Sequence, residues 1–273
     1  MSVKDKRAGG EAAATPSRPG APALEKGLDV LELLAAEGGG LTQKQVAERV
    51  GRSVSEIFRM LGVLEQRGYV ARDRRTGEYT LTLRLFRLAT QYPPTRRLQQ
   101  AALPVMEALA AANNLSCHLS VISGPHFMVA AQVEPDWPMG WTVKLGAVFP
   151  LSMAYASARV LIAFQREGRR EELAGTMARH DGIDLATVLS ALARITRDGG
   201  DFGSNDLSPG VTSLSCPVLE SSGRAVAALT VPLLREVGKA VDETAIAARL
   251  REAARRISAT IGAAMDPPEP DGP

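Results

Sequence analysis

Two helix-start signals eleven residues apart constrain this chain more than any other feature. Thr42 and Gln45 have the spacing of a capping box, and Ser53 and Glu56 repeat it. Leu41 and Val46 are placed as a hydrophobic staple on the first box. Gly51 stands between the boxes, where one helix must stop and turn. Beyond the second box Ile57, Phe58, Leu61 and Leu64 fall at helical spacing, which predicts one buried face. Ser55, Arg59 and Gln66 lie off that face. A short helix, a tight turn and a second helix with small polar groups and an arginine outside is the geometry that enters a DNA major groove.

A hairpin pattern follows, residues 69–73 and 78–81 around a tip of Arg74-Arg75-Thr76-Gly77. Between positions 49 and 87 nine arginines face four acids, a local excess of five positive charges in a chain whose net charge is only +2. That concentration suits a phosphate-facing surface. Arg59 is the leading contact candidate: it can pair with guanine O6 and N7 or a phosphate, or else sit paired with Glu56 or Gln66. Ser53 and Ser55 are placed to hold phosphate oxygens at the helix N-terminus. Glu56 could accept from a cytosine amino group, although its capping position favours a structural role. Arg74 and Arg75 are expected at backbone or minor groove, with a solvated turn as the plain alternative. Thr42, Gln43 and Arg52 complete the candidate surface. The expected partner is double-stranded DNA.

The 273 residues suffice for one large or two ordinary domains, and 45% hydrophobic with 23% charged residues is an ordinary soluble composition. No apolar run approaches a membrane span, and the N-terminus lacks a signal-peptide core, so a cytoplasmic location is expected. Cys117 and Cys216 have no metal or redox spacing and are expected as buried free thiols. Neither a cofactor nor a metal site is expected. His118, His126 and His180 are the only histidines; Cys117 and His118 are adjacent and would face opposite sides of a strand. No nucleophile elbow, metalloprotease, phosphate-loop or dinucleotide motif occurs, so an enzyme is not expected.

The chain divides into an expected disordered tail (1–22), a winged helix-turn-helix (23–82), a linker helix (83–97), a second domain (98–265) and a disordered tail (266–273). Leu24, Leu28, Leu31, Leu34 and Ala35 predict a first helix over 24–37. Residues 82–89 and 98–113 read as helices around a Pro93-Pro94 joint. Later, 115–122 and 127–133 read as strands, and 141–145 as a possible third. Helices are expected over 152–165, 169–180 and 185–197, a polar loop over 199–209, strands over 211–219 and 224–231, and a long helix over 242–264. The pattern is α+β, with helices packed on a sheet.

The sequence resembles the IclR family of bacterial transcription regulators across about 24–264. The stretch 23–34 resembles the family's opening helix, and Gln45-Val46-Ala47-Glu48-Arg49-Val50-Gly51 its second helix and turn. Ser55, Arg59, Leu61, Leu64 and Arg67-Gly68-Tyr69-Val70 resemble the recognition helix and its exit. Leu145-Gly146 with Pro150-Leu151, and Ser208-Pro209-Gly210-Val211 with Cys216-Pro217-Val218, resemble the entries to the later helix and strand pair. The resemblance implies a winged helix-turn-helix joined by a linker helix to a GAF-like α/β effector domain. It also implies a homodimer or homotetramer on a palindromic operator and a small-molecule effector, typically a carboxylate. The effector candidates are Tyr155, Ala156 and Ser157 at a helix start, the loop residues Asn205 and Asp206, and Ser213, Ser215 and Thr230. Ala158-Arg159 stands where the family usually has Gly-Lys, Tyr155 is an apparent insertion, Ser152 replaces the usual histidine, and Thr230 and Pro232 replace a serine pair. The alternative is a regulator that acts without an effector, through oligomerisation or a protein partner.

Overall fold

The computed structural model describes residues 21–91, 93–135, 141–203, 211–234 and 241–262. Its contacts divide the chain into two units, Met1–Gln91 and Tyr92–Pro273. The tails expected over 1–22 and 266–273 lie outside the described residues except for Ala21 and Pro22.

In the first unit α1 (Pro22–Glu37) begins two residues before the predicted start, because Pro22 occupies the first helical turn, where a missing N–H costs nothing. It ends at Gly38 in the left-handed region. Val30 and Leu34 are buried, whereas Leu24 and Leu28 of the expected apolar stripe are exposed. Then come β1 (Leu41–Thr42), α2 (Gln43–Arg49), α3 (Val54–Gln66), β2 (Val70–Arg72), β3 (Glu78–Leu81) and α4 (Arg84–Gln91). The strands form a three-stranded antiparallel sheet in the order β1-β3-β2. Val30, Leu34, Leu41, Val46, Ile57, Leu61, Val70 and Tyr79 make one core.

One prediction for α3 fails. Phe58, expected on the buried face, is 59% exposed. Ile57, Leu61 and the partly buried Leu64 already close the seam with the core, and the next residue after Ile57 is turned about 100° away from it.

The second unit holds α5 (Pro93–Asn113), β4 (Cys117–Ser123), β5 (His126–Val133), β6 (Val148–Pro150), α6 (Ala156–Ala163), α7 (Glu167–Asp181) and α8 (Leu185–Asp198). β7 (Val211–Leu219), β8 (Ala225–Leu234) and α9 (Glu243–Thr260) complete it. α5 starts five residues before the expected Leu98, since Pro93 and Pro94 serve as its first turn and do not form a loop. The five strands form one antiparallel sheet in the order β6-β5-β4-β8-β7. Helices α5 and α9 cover one face, with Cys117, Leu119, Cys216 and Leu229 in the shared core. Helices α6, α7 and α8 build a second core with Phe127 and Ala228. Cys117 and Cys216 are free and buried, and desolvation pushes both thiols up to about 12.

The strand expected over 141–145 does not form. Side chains tie that segment down instead: Gln132 Nε2 donates to Thr142 Oγ1 (2.5 Å), Gln132 Oε1 accepts from the Leu145 N–H (3.0 Å), and Ser116 Oγ donates to the Trp141 carbonyl. The third strand on that edge is β6, which pairs with β5.

The loop expected over 199–209 begins as a pinned bridge, and its residues 204–209 lie outside the described set. The Asp201 N–H and carbonyl both bond to Ser215 at 2.8 Å. Its carboxylate accepts from Arg159 Nε at 2.5 Å, and both side chains are almost wholly buried. Arg159 Nη1 also donates to the Met153 carbonyl. Removing one partner of a buried pair strands a charge in low dielectric. Asp201→Ala is therefore expected to destabilise the second unit by about 3–5 kcal/mol, read as a shifted denaturation midpoint; an unchanged midpoint would make the pair ornamental.

Candidate DNA-binding face and effector cavity

Both capping boxes form. At α2 the Thr42 Oγ1 accepts from the Gln45 N–H (3.4 Å), and Gln45 Oε1 accepts from the Thr42 N–H (2.8 Å). At α3 the Ser53 Oγ accepts from the Glu56 N–H (3.4 Å), and Glu56 Oε2 accepts from the Ser53 N–H (3.2 Å) and hydroxyl (2.7 Å). The other carboxylate oxygen of Glu56 takes Lys26 Nζ of α1 at 2.5 Å. That ammonium and the Ser53 donors hold the Glu56 carboxyl down to about 2. Both Glu56 oxygens are thus engaged inside the unit, and neither is idle for a cytosine.

Ser55, Arg59, Arg52, Arg74 and Arg75 are exposed, and Thr42 and Gln43 are half-buried. Gln43 Nε2 donates to the Val54 carbonyl (3.1 Å), which ties the start of α2 to the start of α3. Arg59 makes no ion pair among the described residues, because the carboxylate three residues before it is held by Lys26. Arg75 uses its N–H on Asp73 Oδ1 (2.7 Å), leaving its guanidinium outside. Other cations of the expected basic surface are committed: Arg49 pairs with Glu37, Arg72 lies over Tyr79 and Arg84 over Tyr69.

In the second unit a cavity of about 500 Å³ opens at the start of α6. Tyr155, Ala156 and Ser157 line it from the helix start, Ser213 from β7 and Thr230 from β8. Ser215 is fully buried behind this lining, bonding to Thr230 Oγ1 at 2.8 Å. Asn205 and Asp206 lie outside the described residues. The register sets Thr230 opposite both His118 and Ser215, so four polar side chains join in a chain. Ser157 Oγ lies 2.9 Å from Thr230 Oγ1 and 3.3 Å from His118 Nε2. Phe127, Phe149 and Tyr155, all in the lining, stack and tilt together at ring separations of 5.2–5.4 Å. Lys144 is the one charged side chain among the described lining residues. Arg159 is spent on Asp201 and is absent from this lining.

His118, Trp141, Lys144, Phe149 and Pro232 were not predicted as lining residues. Alternation on β4 could have flagged His118, which faces α6 while Cys117 faces α5 and α9. Burial lowers its imidazole to about 4 and keeps it neutral at physiological pH. The unfolded chain, near 6.5, then binds more protons than the folded one between these values, so stability present above 6.5 is lost as pH falls toward 4. Acidification across that window is expected to remove up to about 3 kcal/mol. His118→Gln should flatten that part of a pH-dependent denaturation profile; an equally steep profile in the variant would assign the loss elsewhere.

Two family models match: the IclR helix-turn-helix domain over residues 23–74 and the bacterial transcriptional regulator IclR C-terminal domain over 91–259. The DNA-binding transcriptional repressor YiaJ of Escherichia coli is 26% identical over 262 residues, 92% of each chain. The regulator BhcR of Paracoccus denitrificans is 26% identical over 249 residues, 88% of this chain and 87% of that one. Among solved structures, Pseudomonas aeruginosa HmgR superposes with a TM-score of 0.70 at 26% identity, covering 88% of this chain and 99% of that one. An IclR homolog from Microbacterium hydrocarbonoxydans complexed with 4-hydroxybenzoate gives 0.70 at 22% identity, with 88% and 98% covered, and shows a common fold. YiaJ is named a transcriptional repressor and BhcR a transcriptional regulator. The chain is a DNA-binding transcription regulator and belongs to the IclR family.

Proposed function

We propose that this regulator binds a palindromic operator as a dimer and changes its DNA affinity when a small organic acid enters the cavity at α6. The observation that carries the DNA half is Arg59, exposed and in no ion pair among the described residues, on the same side of α3 as Ser55. In the proposed division, residues 23–82 hold DNA, 83–97 connect and 98–265 sense and assemble. Two recognition helices would enter major grooves about 34 Å apart or a multiple of that. Arg74 and Arg75 would meet backbone or minor groove. Assembly is supported by apolar side chains left outside in the first unit: Leu83 is 80% exposed, and Phe86 and Leu24 are also open. No helix among the described residues is long and apolar enough to cross a membrane, and we place the protein in the cytoplasm with its DNA.

For the effector, the support is chemical. Tyr155 caps α6 without a side-chain bond, so the first-turn N–H groups of that helix stand uncapped toward an acceptor. Lys144 adds a cation, and the Phe127–Phe149–Tyr155 cluster offers an aromatic wall. A carboxylate carrying a ring fits this set, and the Microbacterium homolog was solved in complex with one such acid, 4-hydroxybenzoate.

Arg59→Ala should cost about 1–3 kcal/mol on a duplex selected from a random pool and relax one base position. Equal loss on selected and random DNA would make Arg59 a phosphate contact. Benzoate, 4-hydroxybenzoate and pyruvate, each titrated into the full chain, test the cavity. A rise in melting temperature together with a change in duplex affinity for at least one ring acid is expected. No response to any of the three would favour a regulator that works through assembly alone.

A further inference from the structure

The outer side of α3 carries more than its serine and arginine. Val54 and Phe58 are one helical turn apart, both about half exposed or more, and Gly62 continues the same row one turn further. None of the three belongs to the core of the first unit or packs against it. Val54 and Phe58 therefore expose an apolar stripe beside Ser55 and Arg59, with no stabilising burial to account for it. Gly62 is equally unexplained from within. It sits in the middle of a helix, where glycine is unfavourable, yet a Cβ built there would meet nothing within 4 Å. The missing side chain leaves room on the outside only.

A surface that pairs an exposed guanidinium with apolar groups and a bare strip of backbone has a definite complement. In the major groove the distinctive apolar feature is the C5-methyl of thymine, which stands beside the acceptors of neighbouring guanines. We propose that Val54 and Phe58 read thymine methyl groups in the operator while Gly62 lets the backbone of α3 approach the groove closely. This rests on the reading of α3 as the helix that enters DNA. It adds a specificity element that hydrogen bonding does not supply. Each half-site is then expected to carry thymine next to the base read by Arg59.

Deoxyuridine tests this directly, because it keeps every hydrogen-bonding group of thymine and lacks only the methyl. Full-length protein is first used to select a duplex from a random pool. Each thymine of the selected site is then replaced singly by deoxyuridine, and affinity is measured for the wild type and for Phe58→Ala. Phe58 is exposed and outside the core, so the variant is expected to fold. Losing a read methyl should weaken the wild type about fourfold, the worth of one buried methyl or methylene. The same replacement should leave Phe58→Ala nearly unaffected at that position. Gly62→Leu should melt no lower than the wild type and yet lose affinity for the selected duplex.

Selected sites without thymine in each half, or deoxyuridine tolerated everywhere by a wild type that still binds, would overturn the methyl reading and leave the regulator reading standing. A Gly62→Leu variant with full affinity would overturn the proposed close approach. Failure of the wild type to retain any duplex would remove the placement of α3 in DNA, and this inference with it.

Discussion

The lysine at position 26 decides which charge on α3 is left facing outward. Glu56 and Arg59 are three residues apart, a spacing at which acid and base normally pair across one helical turn. Here the carboxylate is turned inward, one oxygen on the Ser53 cap and the other on Lys26 of α1. Three things follow from that one arrangement. The start of α3 is satisfied, α1 is tied to it, and Arg59 keeps its full charge on the outside. A salt bridge with this much exposure adds little stability. Its consequence is electrostatic: it determines which of the two nearby cations is neutralised.

The second unit treats its arginine the opposite way. Arg159 stands near the start of α6, where a cation could have met an incoming anion, but Asp201 and the Met153 carbonyl hold it. The cavity is left with hydroxyls, a neutral imidazole, aromatic rings and Lys144. Burial of a full charge inside would need a partner. A lining of neutral donors at an uncapped helix start avoids that cost, and it is the feature on which the proposed organic-acid effector rests.

Local chemistry was legible in the sequence, and contacts between distant segments were not. The boxes at Thr42 and Ser53 were readable because a cap depends on residues three apart. The strands carrying Cys117 and Cys216 were readable as apolar runs next to Gly-containing turns, at Ser123-Gly124-Pro125-His126 and Ser221-Ser222-Gly223. Phe58 was misplaced because periodicity alone cannot tell where a buried seam ends. The 141–145 segment was misplaced because Gln132 and Ser116, distant in sequence, supply bonds that a ladder would otherwise have made. His118 was recognised only as a poor metal ligand. Its place beside Ser157 and Thr230 depends on a strand more than a hundred residues later. The early start of α5 was hidden because a proline pair reads as a break when it can equally open a helix.

The central claim is that the outer side of α3 lies against DNA while its inner side stays in the core. Hydroxyl-radical footprinting of the protein, with and without a selected duplex, measures this side by side on one helix. The account predicts that Phe58 is oxidised readily in the free protein and protected in the complex, while Leu61, already buried, is slow in both. Unchanged oxidation of Phe58 in a complex that protects other surfaces of the first unit would contradict it.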